Sequence, residues 1–320
     1  MAEVLRGDAT PAQVAGFVVA LRLKGETVDE LSGLLDAMLA AAELVHLPDA
    51  LAGRVVDIVG TGGDRSHSIN VSTLAMLVAA GAGVPMCKHG NRAASSSCGA
   101  ADLLAELGVA IDLGPVGVAR CVAEAGLGFC FAPRFHAALR HAGPTRRELG
   151  IPTAFNILGP MANPARVARQ VVGVADARVA ERMLGVLAAH GARHVLIVHG
   201  GDGLDELTTT GPSSVWELRE GRVTAYELDP ATLGIARAEP DDLRGGAPAL
   251  NAELGRAVLA GEAGARRDIV VLNAAAGLYV GGLADTIGAG IELARNAIDD
   301  GRAAAALGRL VKISQDAAAA

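Results

Sequence analysis

The chain contains 320 residues, of which 51% are hydrophobic, 20% are charged and only 2% are aromatic. This length accommodates one large α/β domain with a small additional module, and the scarcity of aromatic residues predicts a core of small aliphatic side chains. The formal net charge of −7 argues against a general nucleic-acid-binding protein, because contact with a phosphate backbone requires a basic face.

Two helices are predicted at the start of the chain. Capping boxes at Thr10 and Thr27 open them, and each box satisfies backbone N–H groups in the first turn of its helix. The first helix is predicted to end at Gly25 and the second to run toward Val45. These helices indicate a small helical domain.

After these helices the pattern changes to short β-branched runs that alternate with segments rich in Ala and Leu. The predicted strands are 55–59, 84–87, 128–131, 171–174 and 194–199, with a hairpin at 218–226. The predicted helices between them are 73–80, 101–107, 116–125 and 179–190. We therefore expect an α/β fold with a mostly parallel central sheet flanked by helices. The expected domains are a small helical domain over residues 1–52, joined by helices from about 144–165, and an α/β domain over 53–320.

The cysteines and the most apolar segment suggest neither secretion nor a membrane span. The four cysteines form no CxxC pair and are interpreted as reduced structural thiols of a cytoplasmic protein, and no signal peptide precedes the first helix. Residues 269–283 are apolar, but they are few for a membrane span and include Asn273. We interpret this segment as a buried strand followed by a helix, and expect no contact with a membrane.

The strongest local feature is the sequence DIVGTGGD at 57–64, in which a strand runs directly into a glycine-rich turn. Glycines let backbone N–H groups approach an anion closely, because no Cβ blocks the approach. The spacing matches neither GxGxxG nor a P-loop, so neither a dinucleotide site nor a P-loop is predicted. A tight structural turn remains an equal alternative at this point.

Two further segments favour a phosphate site. Ser68, Asn70, Ser72 and Thr73 open the next helix, where hydroxyl groups beside free N–H groups can bind phosphate, and capping alone would require only one of them. The sequence KHGNRAASSS at 88–97 also follows a strand, and its basic, amide and hydroxyl groups can surround a polyphosphate. Ligands of open α/β sheets bind at the carboxyl ends of strands, where both segments lie. A solvated basic loop explains this composition poorly.

Two adjacent carboxylates, Asp205 and Glu206, follow the strand at 194–199. Both can turn inward from an irregular loop, and two carboxylates without a nearby His or Cys suit a hard cation, which beside a phosphate substrate is typically Mg²⁺. A solvated surface pair is an equal alternative.

Taken together, these motifs resemble the anthranilate phosphoribosyltransferase family of tryptophan biosynthesis. The matching blocks, in chain order, are GDATPAQVAGFVVALRLKGET, DIVGTGGD, NVST, KHGNRAASS, GAADLLAELG, RRELGIPTAFNILGPMANP and DGLDELTTTG. The resemblance implies a two-domain fold like that of nucleoside phosphorylases and phosphoribosyltransferases, usually assembled as a homodimer through the helical part. It also implies that Mg²⁺ supports transfer of the 5-phosphoribosyl group from phosphoribosyl pyrophosphate to the amine of anthranilate, giving N-(5-phosphoribosyl)anthranilate and pyrophosphate.

The resemblance implies roles for individual residues by position. Contacts to phosphoribosyl pyrophosphate are implied for Gly60, Gly63, Asp64, Ser68, Asn70, Val71, Ser72, Thr73, Lys88, His89, Gly90, Asn91, Arg92, Ala93, Ala94, Ser95, Ser96 and Ala100. Contacts to anthranilate are implied for Gly60, His89, Asn91, His136 and Arg146, with the Arg146 guanidinium facing the carboxylate. Magnesium is implied at Ser72, Asp205 and Glu206, and the implied catalytic residues are Lys88, Arg92, Asp205 and Glu206. For His136, a buried structural histidine with satisfied hydrogen bonds is an equal alternative.

The sequence departs from the family pattern in three places. Ser68 stands where a threonine is expected, and Ala100 stands where a serine is common. The chain also begins inside what looks like the second or third helix of the family, which bears on dimerisation more than on chemistry. The connections at Gly25 and at 152–164 are expected to flex as the site closes.

Two other functions remain open. A pyrimidine nucleoside phosphorylase of the same fold would use uracil or thymine nucleosides with free phosphate, and a non-catalytic homologue would only bind a phosphorylated ligand. The KHGNR and DELTTTG blocks and Arg146 favour the anthranilate enzyme. The expected partners are therefore the two small-molecule substrates and a second copy of the chain, with neither nucleic acid nor membrane.

Overall fold

The computed structural model describes residues 1–93 and 96–320. The chain begins with the helices α1 (Ala2–Arg6), α2 (Pro11–Lys24) and α3 (Val28–Ala40). Both predicted capping boxes are present at the starts of α2 and α3. The predicted end of the second helix was wrong, because α3 ends before Val45. The chain leaves the helix there because the N–H of Glu43 donates to the Phe135 carbonyl and the N–H of Val45 donates to the Pro164 carbonyl.

The central sheet confirms the predicted α/β fold. Its strands are β1 (Val56–Gly60), β2 (Met86–Gly90), β3 (Leu127–Phe131), β4 (Arg169–Gly173), β5 (His194–Gly200), β6 (Ser213–Arg219) and β7 (Arg222–Leu228). Within the described residues they form a seven-stranded sheet in the order β3-β2-β1-β4-β5-β6-β7, in which β1 to β5 are parallel and β6 and β7 antiparallel. The carboxyl ends of the parallel strands consequently meet along one edge.

Helices cover both faces of this sheet. They are α4 (Val71–Ala82), α5 (Ala100–Glu106), α6 (Pro115–Ala125), α7 (Ala132–Phe135), α8 (Gly143–Leu149), α9 (Ala154–Met161), α10 (Ala180–Ala189), α11 (Pro248–Leu259), α12 (Ala265–Gly281), α13 (Ile287–Asp299) and α14 (Arg302–Ala318). The strand predicted within 269–283 was wrong, because α12 is one continuous helix. In the part of the chain that the structure describes, no helix combines the length and the apolar character needed to cross a membrane.

The buried side chains divide between the two faces of the sheet, because successive strand residues point in opposite directions. On one face, Ile58 and Val171 pack with α4 and α12. On the other, Val172 and Ile197 pack with Leu35 of α3 and with α10. Helix α3 therefore shares a core with the sheet, and the predicted domain division after residue 52 stays a prediction.

A smaller cluster joins the remaining N-terminal helices to the segment expected to accompany them. Val4 of α1 and Val14 and Val18 of α2 pack with Ala142 and Phe155. In addition, α8 contacts α2, and α9 contacts both α2 and α3. The α8–α9 segment thus lies between the N-terminal helices and the carboxyl edge of the sheet.

Candidate active site

The glycine turn lies at the end of β1, directly against the acidic loop. The N–H of Gly62 donates to Asp205 Oδ2 over 2.6 Å. A Cβ placed on Gly60 would lie 2.3 Å from the same carboxylate oxygen, and a Cβ on Gly173 would lie 1.6 Å from the Asp205 backbone oxygen. The close approach of these two segments therefore requires glycine at 173, whereas a Cβ at position 60 would displace the Asp205 carboxylate.

The second carboxylate of the acidic loop reaches the start of α4. Glu206 Oε1 accepts the N–H of Ser72 over 3.1 Å, and Lys88 Nζ donates to Ser72 Oγ over 3.1 Å. Lys88 Nζ also donates to the Ile58 carbonyl. The acidic pair, the lysine and the helix N-terminus are thus in contact, although they come from separate segments of the sequence.

The electrostatics of this group favour a bound cation. Burial and repulsion by Glu206 raise the pKa of Asp205 well above its ordinary value, and burial raises the pKa of Glu206 to about 7 despite the attraction of Lys88. Burial also lowers the pKa of Lys88. Buried carboxylates that repel each other are stabilised by a positive charge, and their oxygen atoms suit a hard divalent ion. The residues present therefore fit Mg²⁺.

The donor set that the protein itself offers to a metal is small. Within 1–93 and 96–320, no three His, Cys, Asp or Glu side chains are grouped so that they could hold a metal ion. A magnesium ion at Asp205 and Glu206 would therefore take its remaining ligands from a hydroxyl, water or substrate, as is usual for Mg²⁺ at phosphate sites.

The loop after β2 is organised around Asp102 of α5. The Asp102 carboxylate accepts Arg92 Nη1 over 2.7 Å, the N–H of Ala93 over 2.9 Å and the N–H of Gly99 over 3.0 Å. Arg92 also lies 5.7 Å from the centroid of the Phe131 ring. Arg92 therefore lines the cleft while it is paired with Asp102. Two implied substrate contacts, Ala94 and Ser95, lie outside the described residues.

Two neutral histidines line the middle of the cleft, with ring centroids 5.0 Å apart. His89 Nδ1 lies 3.1 Å from the Gly159 carbonyl, and His136 Nε2 lies 2.9 Å from the Ala162 carbonyl. A carbonyl only accepts hydrogen bonds, so these contacts fix the tautomer of each ring. Burial lowers the pKa of both, that of His89 to about 3. His89 Nε2 is therefore an acceptor, and it has no partner among the described residues.

Arg146 of α8 lies against an aromatic ring on the helical side of the cleft. Its guanidinium carbon is 5.0 Å from the centroid of Phe155. Burial lowers the pKa of Arg146, and no carboxylate among the described residues offsets that effect. A guanidinium held in this way is suited to a carboxylate supplied by a ligand.

A cleft of about 420 Å³ connects these groups. The predicted residues that line it are Gly60, Gly63, Asp64, Ser68, Asn70, Val71, Ser72, Lys88, His89, Gly90, Asn91, Arg92, Ala93, Ser96, Ala100, His136, Arg146, Asp205 and Glu206. Thr73, the third residue of α4, is fully buried and is not among the lining residues. Lining residues that the sequence reasoning missed include Met38, Leu139, Phe155, Asn156 and Pro160.

A buried carboxylate behind the cleft was also missed. Asp57 Oδ2 in β1 accepts Asn163 Nδ2 over 2.8 Å and the N–H of His89 over 3.3 Å, and Asn163 Nδ2 also donates to the Cys87 carbonyl. Burial raises the pKa of Asp57 to about 6. These contacts tie the end of β2 to Asn163, just after α9. The two carbonyls that accept from the histidines lie nearby, at Gly159 in the last turn of α9 and at Ala162.

The α/β sheet and the N-terminal helices both match families of glycosyl transferases. Residues 1–42 match the family model described as "Glycosyl transferase family, helical bundle domain", and residues 52–304 match "Glycosyl transferase family, a/b domain".

Comparison with curated relatives and solved structures identifies one family among these glycosyl transferases. Anthranilate phosphoribosyltransferase from Salinispora arenicola is 54% identical, over 98% of this chain and 90% of the relative, and that from Mesorhizobium japonicum is 52% identical, over 97% and 91%. The crystal structure of the Thermus thermophilus enzyme has a TM-score of 0.92 and 42% identity, covering 98% of this chain and 93% of that one. The Saccharomyces cerevisiae enzyme in complex with PRPP and Mg has a TM-score of 0.88 and 30% identity, covering 96% and 86%. The chain belongs to the anthranilate phosphoribosyltransferase family, which confirms the resemblance seen in the sequence.

Proposed function

We propose that this protein transfers the 5-phosphoribosyl group from phosphoribosyl pyrophosphate to the amine of anthranilate, in tryptophan biosynthesis. The products are N-(5-phosphoribosyl)anthranilate and pyrophosphate. The observation that carries the proposal is the contact of Asp205 with Gly62 and of Glu206 with Ser72, which unites an anion-binding turn, a helix N-terminus and an acidic pair in one cleft. Arg146 lines the same cleft.

The donor is proposed to occupy the carboxyl edge of the sheet. Backbone N–H groups of the glycine turn and the start of α4 are positioned to bind its phosphates. The proposed contacts are Gly60, Gly63, Asp64, Ser68, Asn70, Val71, Ser72, Lys88, His89, Gly90, Asn91, Arg92, Ala93, Ala94, Ser95, Ser96 and Ala100. Thr73, the third residue of α4, is also a proposed contact, through its backbone N–H, because its side chain is fully buried.

The acceptor is proposed to occupy the part of the cleft that α8 and α9 line. The Arg146 guanidinium would bind the anthranilate carboxylate, supported from behind by the Phe155 ring. His89 offers Nε2 as an acceptor for an amine N–H, and His136 and Asn91 line the same passage. Because both imidazoles are neutral, neither repels the partial positive charge that develops on the attacking nitrogen.

The proposed mechanism is a displacement at the anomeric carbon of the ribose. The bond from this carbon to pyrophosphate breaks, the bond to the anthranilate nitrogen forms, and that nitrogen then releases one proton to solvent. Positive charge develops on the ribose ring while the leaving pyrophosphate gains negative charge. Backbone N–H groups of the glycine turn and the Lys88 ammonium stabilise the negative charge, and binding both substrates in one cleft aligns the reacting atoms.

Magnesium is proposed to act at the donor end of the cleft. Asp205, Glu206 and the Ser72 hydroxyl would hold the ion, which supplies positive charge to the departing pyrophosphate.

We also propose a cytoplasmic homodimer in which α2 contributes to the interface. Phe17 and Leu23 of α2 are 41% and 82% exposed, and large apolar side chains on one helix favour burial against a second copy. Light scattering of the wild type and of Phe17→Glu/Leu23→Glu tests this part: a dimer is expected for the former and a monomer for the latter. A wild-type monomer would contradict it.

The activity is tested by following the loss of anthranilate fluorescence in the presence of phosphoribosyl pyrophosphate and Mg²⁺. We expect turnover by the wild type and at least a 1,000-fold loss, roughly, in Asp205→Asn/Glu206→Gln, because the leaving group loses its main charge partner. The matched control is Asp299→Asn/Asp300→Asn, an adjacent acidic pair that forms salt bridges with Arg267 and Arg302 outside the cleft. Turnover of a pyrimidine nucleoside with phosphate, without consumption of anthranilate, would contradict the proposal.

A further inference from the structure

The acidic loop is anchored from behind by Asn273, in the middle of α12. Asn273 Nδ2 donates to the Leu207 carbonyl over 2.8 Å, and Asn273 Oδ1 accepts the Leu207 N–H over 3.0 Å. A single side-chain amide thus satisfies both backbone polar groups of the residue that directly follows Glu206. The second hydrogen of Nδ2 is donated to the Ile269 carbonyl over 2.9 Å, one turn earlier in the helix.

This arrangement fixes the amide in one orientation. Both carbonyls only accept and the Leu207 N–H only donates, so a flipped amide would lose all three hydrogen bonds. Asn273 and Leu207 are fully buried, and water therefore has no access to replace a lost partner. An aspartate of the same size would present oxygen to two carbonyls, and an alanine would leave the N–H and carbonyl of Leu207 without partners.

The hydrogen bonds of Asn273 fix the positions of the carboxylates because the acidic loop is also confined on its other side. The backbone of Asp205 packs against Gly173, with no room for a Cβ between them. The loop is consequently held between β4 and α12. From this position Asp205 Oδ2 reaches the N–H of Gly62, and Glu206 Oε1 reaches the N–H of Ser72. Without the anchor, the two like charges would be free to separate.

We propose that Asn273 is a positioning residue for the divalent cation: it holds the backbone of Leu207 so that Asp205 and Glu206 face the same ion. The inference rests on the proposed function, since it takes the acidic pair as the cation ligands. Asn273 itself lies behind the loop and touches neither substrate.

The test measures cation binding without turnover. Mn²⁺ is titrated into the protein in the presence of pyrophosphate, and free Mn²⁺ is followed by its paramagnetic resonance signal. Removal of a group that orients metal ligands typically weakens metal binding by about 10- to 100-fold, and we expect a rise of this size in the half-saturating Mn²⁺ concentration for Asn273→Ala and Asn273→Asp. Activity at low Mg²⁺ should fall in parallel and recover in part at high Mg²⁺.

Ser314→Ala is the matched control. Ser314 is a fully buried residue of α14 that accepts the N–H of Ala110 over 3.0 Å and donates to Val311, so it also anchors a loop to a helix, but outside the cleft. Its loss should lower the melting temperature and leave the half-saturating Mn²⁺ concentration within about twofold of the wild-type value.

An Mn²⁺ half-saturation within twofold of wild type in either folded Asn273 variant would overturn the inference. If both Asn273 variants fail to fold while Ser314→Ala folds, Asn273 would serve only to stabilise the folded protein, and the inference would also be overturned. Since Mn²⁺ binding needs no turnover, a wild type that binds Mn²⁺ without consuming anthranilate would contradict the proposed function alone.

Discussion

The contact between Gly173 and the acidic loop leads to a sharp prediction for Gly173→Ala. The added methyl group would lie 1.6 Å from the Asp205 oxygen, 2.3 Å from the Asp205 carbonyl carbon and 3.1 Å from the Glu206 nitrogen. All three are backbone atoms, so a change of side-chain rotamer does not relieve the overlap. Gly173 is itself held in β4, where its carbonyl accepts the N–H of Thr61 over 2.9 Å. The acidic loop must therefore move.

The size of the movement sets the expected loss. Non-bonded carbon and oxygen atoms come into contact near 3.5 Å, so the loop has to withdraw by roughly 2 Å. A misplacement of about 1 Å at a catalytic group costs about 100-fold in rate, and we therefore expect the kcat/KM of Gly173→Ala to fall by at least about 100-fold, or about 2.7 kcal/mol of transition-state stabilisation. Overpacking should also cost about 1–3 kcal/mol of folding stability.

The assay is the fluorescence decay of anthranilate at saturating phosphoribosyl pyrophosphate, recorded over a range of Mg²⁺ concentrations below the melting temperature of the variant. Gly33→Ala is the control, because a Cβ on Gly33 in α3 would meet no atom within 4 Å. This control should keep wild-type activity and gain up to about 1 kcal/mol of stability. A folded Gly173→Ala protein with kcat/KM within threefold of wild type would refute the reasoning.

Three further substitutions test the charge of a buried carboxylate, the recognition of anthranilate and the stability of α3. Asp57→Asn should remove one source of pH dependence. Burial raises the pKa of Asp57 from 3.8 to about 6, so the folded wild type holds this proton more tightly than the unfolded chain and loses stability as the pH rises. Between pH 4 and pH 7 the wild type should lose about 2 kcal/mol relative to the variant in urea titrations. Parallel titration curves would contradict this. Arg146→Lys should raise the KM for anthranilate by about 10- to 100-fold with little change in the KM for phosphoribosyl pyrophosphate, whereas Arg147→Lys on the same helix should leave both constants unchanged. Thr27→Ala should lower the unfolding free energy by about 1 kcal/mol without affecting kcat, because it removes only the cap of α3; a fall in kcat would show that α3 influences the site.

The sequence correctly predicts those parts of the fold that depend on interactions between residues close together in the chain. The capping box at Thr27 needs only Glu30, and both lie within one turn. The end of α3 was predicted wrongly because Ala41 favours helix, and the competing hydrogen bonds come from residues distant in sequence. The strand expected within 269–283 was wrong for another reason. A helix that is buried on all sides has no polar face, so its helical period is invisible in the sequence.

The candidate site likewise contains features that are visible in the sequence and features that depend on contacts between distant segments. The glycine turn and the acidic pair have an unusual composition, which makes them visible as separate loops. Their contact depends on strand order, because β1 must lie beside β4, and β4 beside β5, before the glycine turn after β1 can reach Asp205. No role was predicted for Asp57 or Asn273, since a single polar residue in an apolar run does not reveal the partner that its buried side chain needs.

The packing of the N-terminal helices bears on how the cleft could close. Movement of α1, α2 and α3 as one body would separate α3 from the sheet. It would expose the apolar cluster on that face and break the contact of Glu26 with Arg182, whose charged atoms are 3.3 Å apart. The smaller cluster of α1, α2 and Phe155 buries fewer side chains, and α1 and α2 contribute only Leu5 and Leu21 to the buried part of the sheet-facing cluster. Arg146 on α8 lies next to the smaller cluster, through its contact with Phe155. Closure that shifts α1, α2 and α8 would move the proposed carboxylate-binding group, while the acidic loop, held between β4 and α12, stays in place.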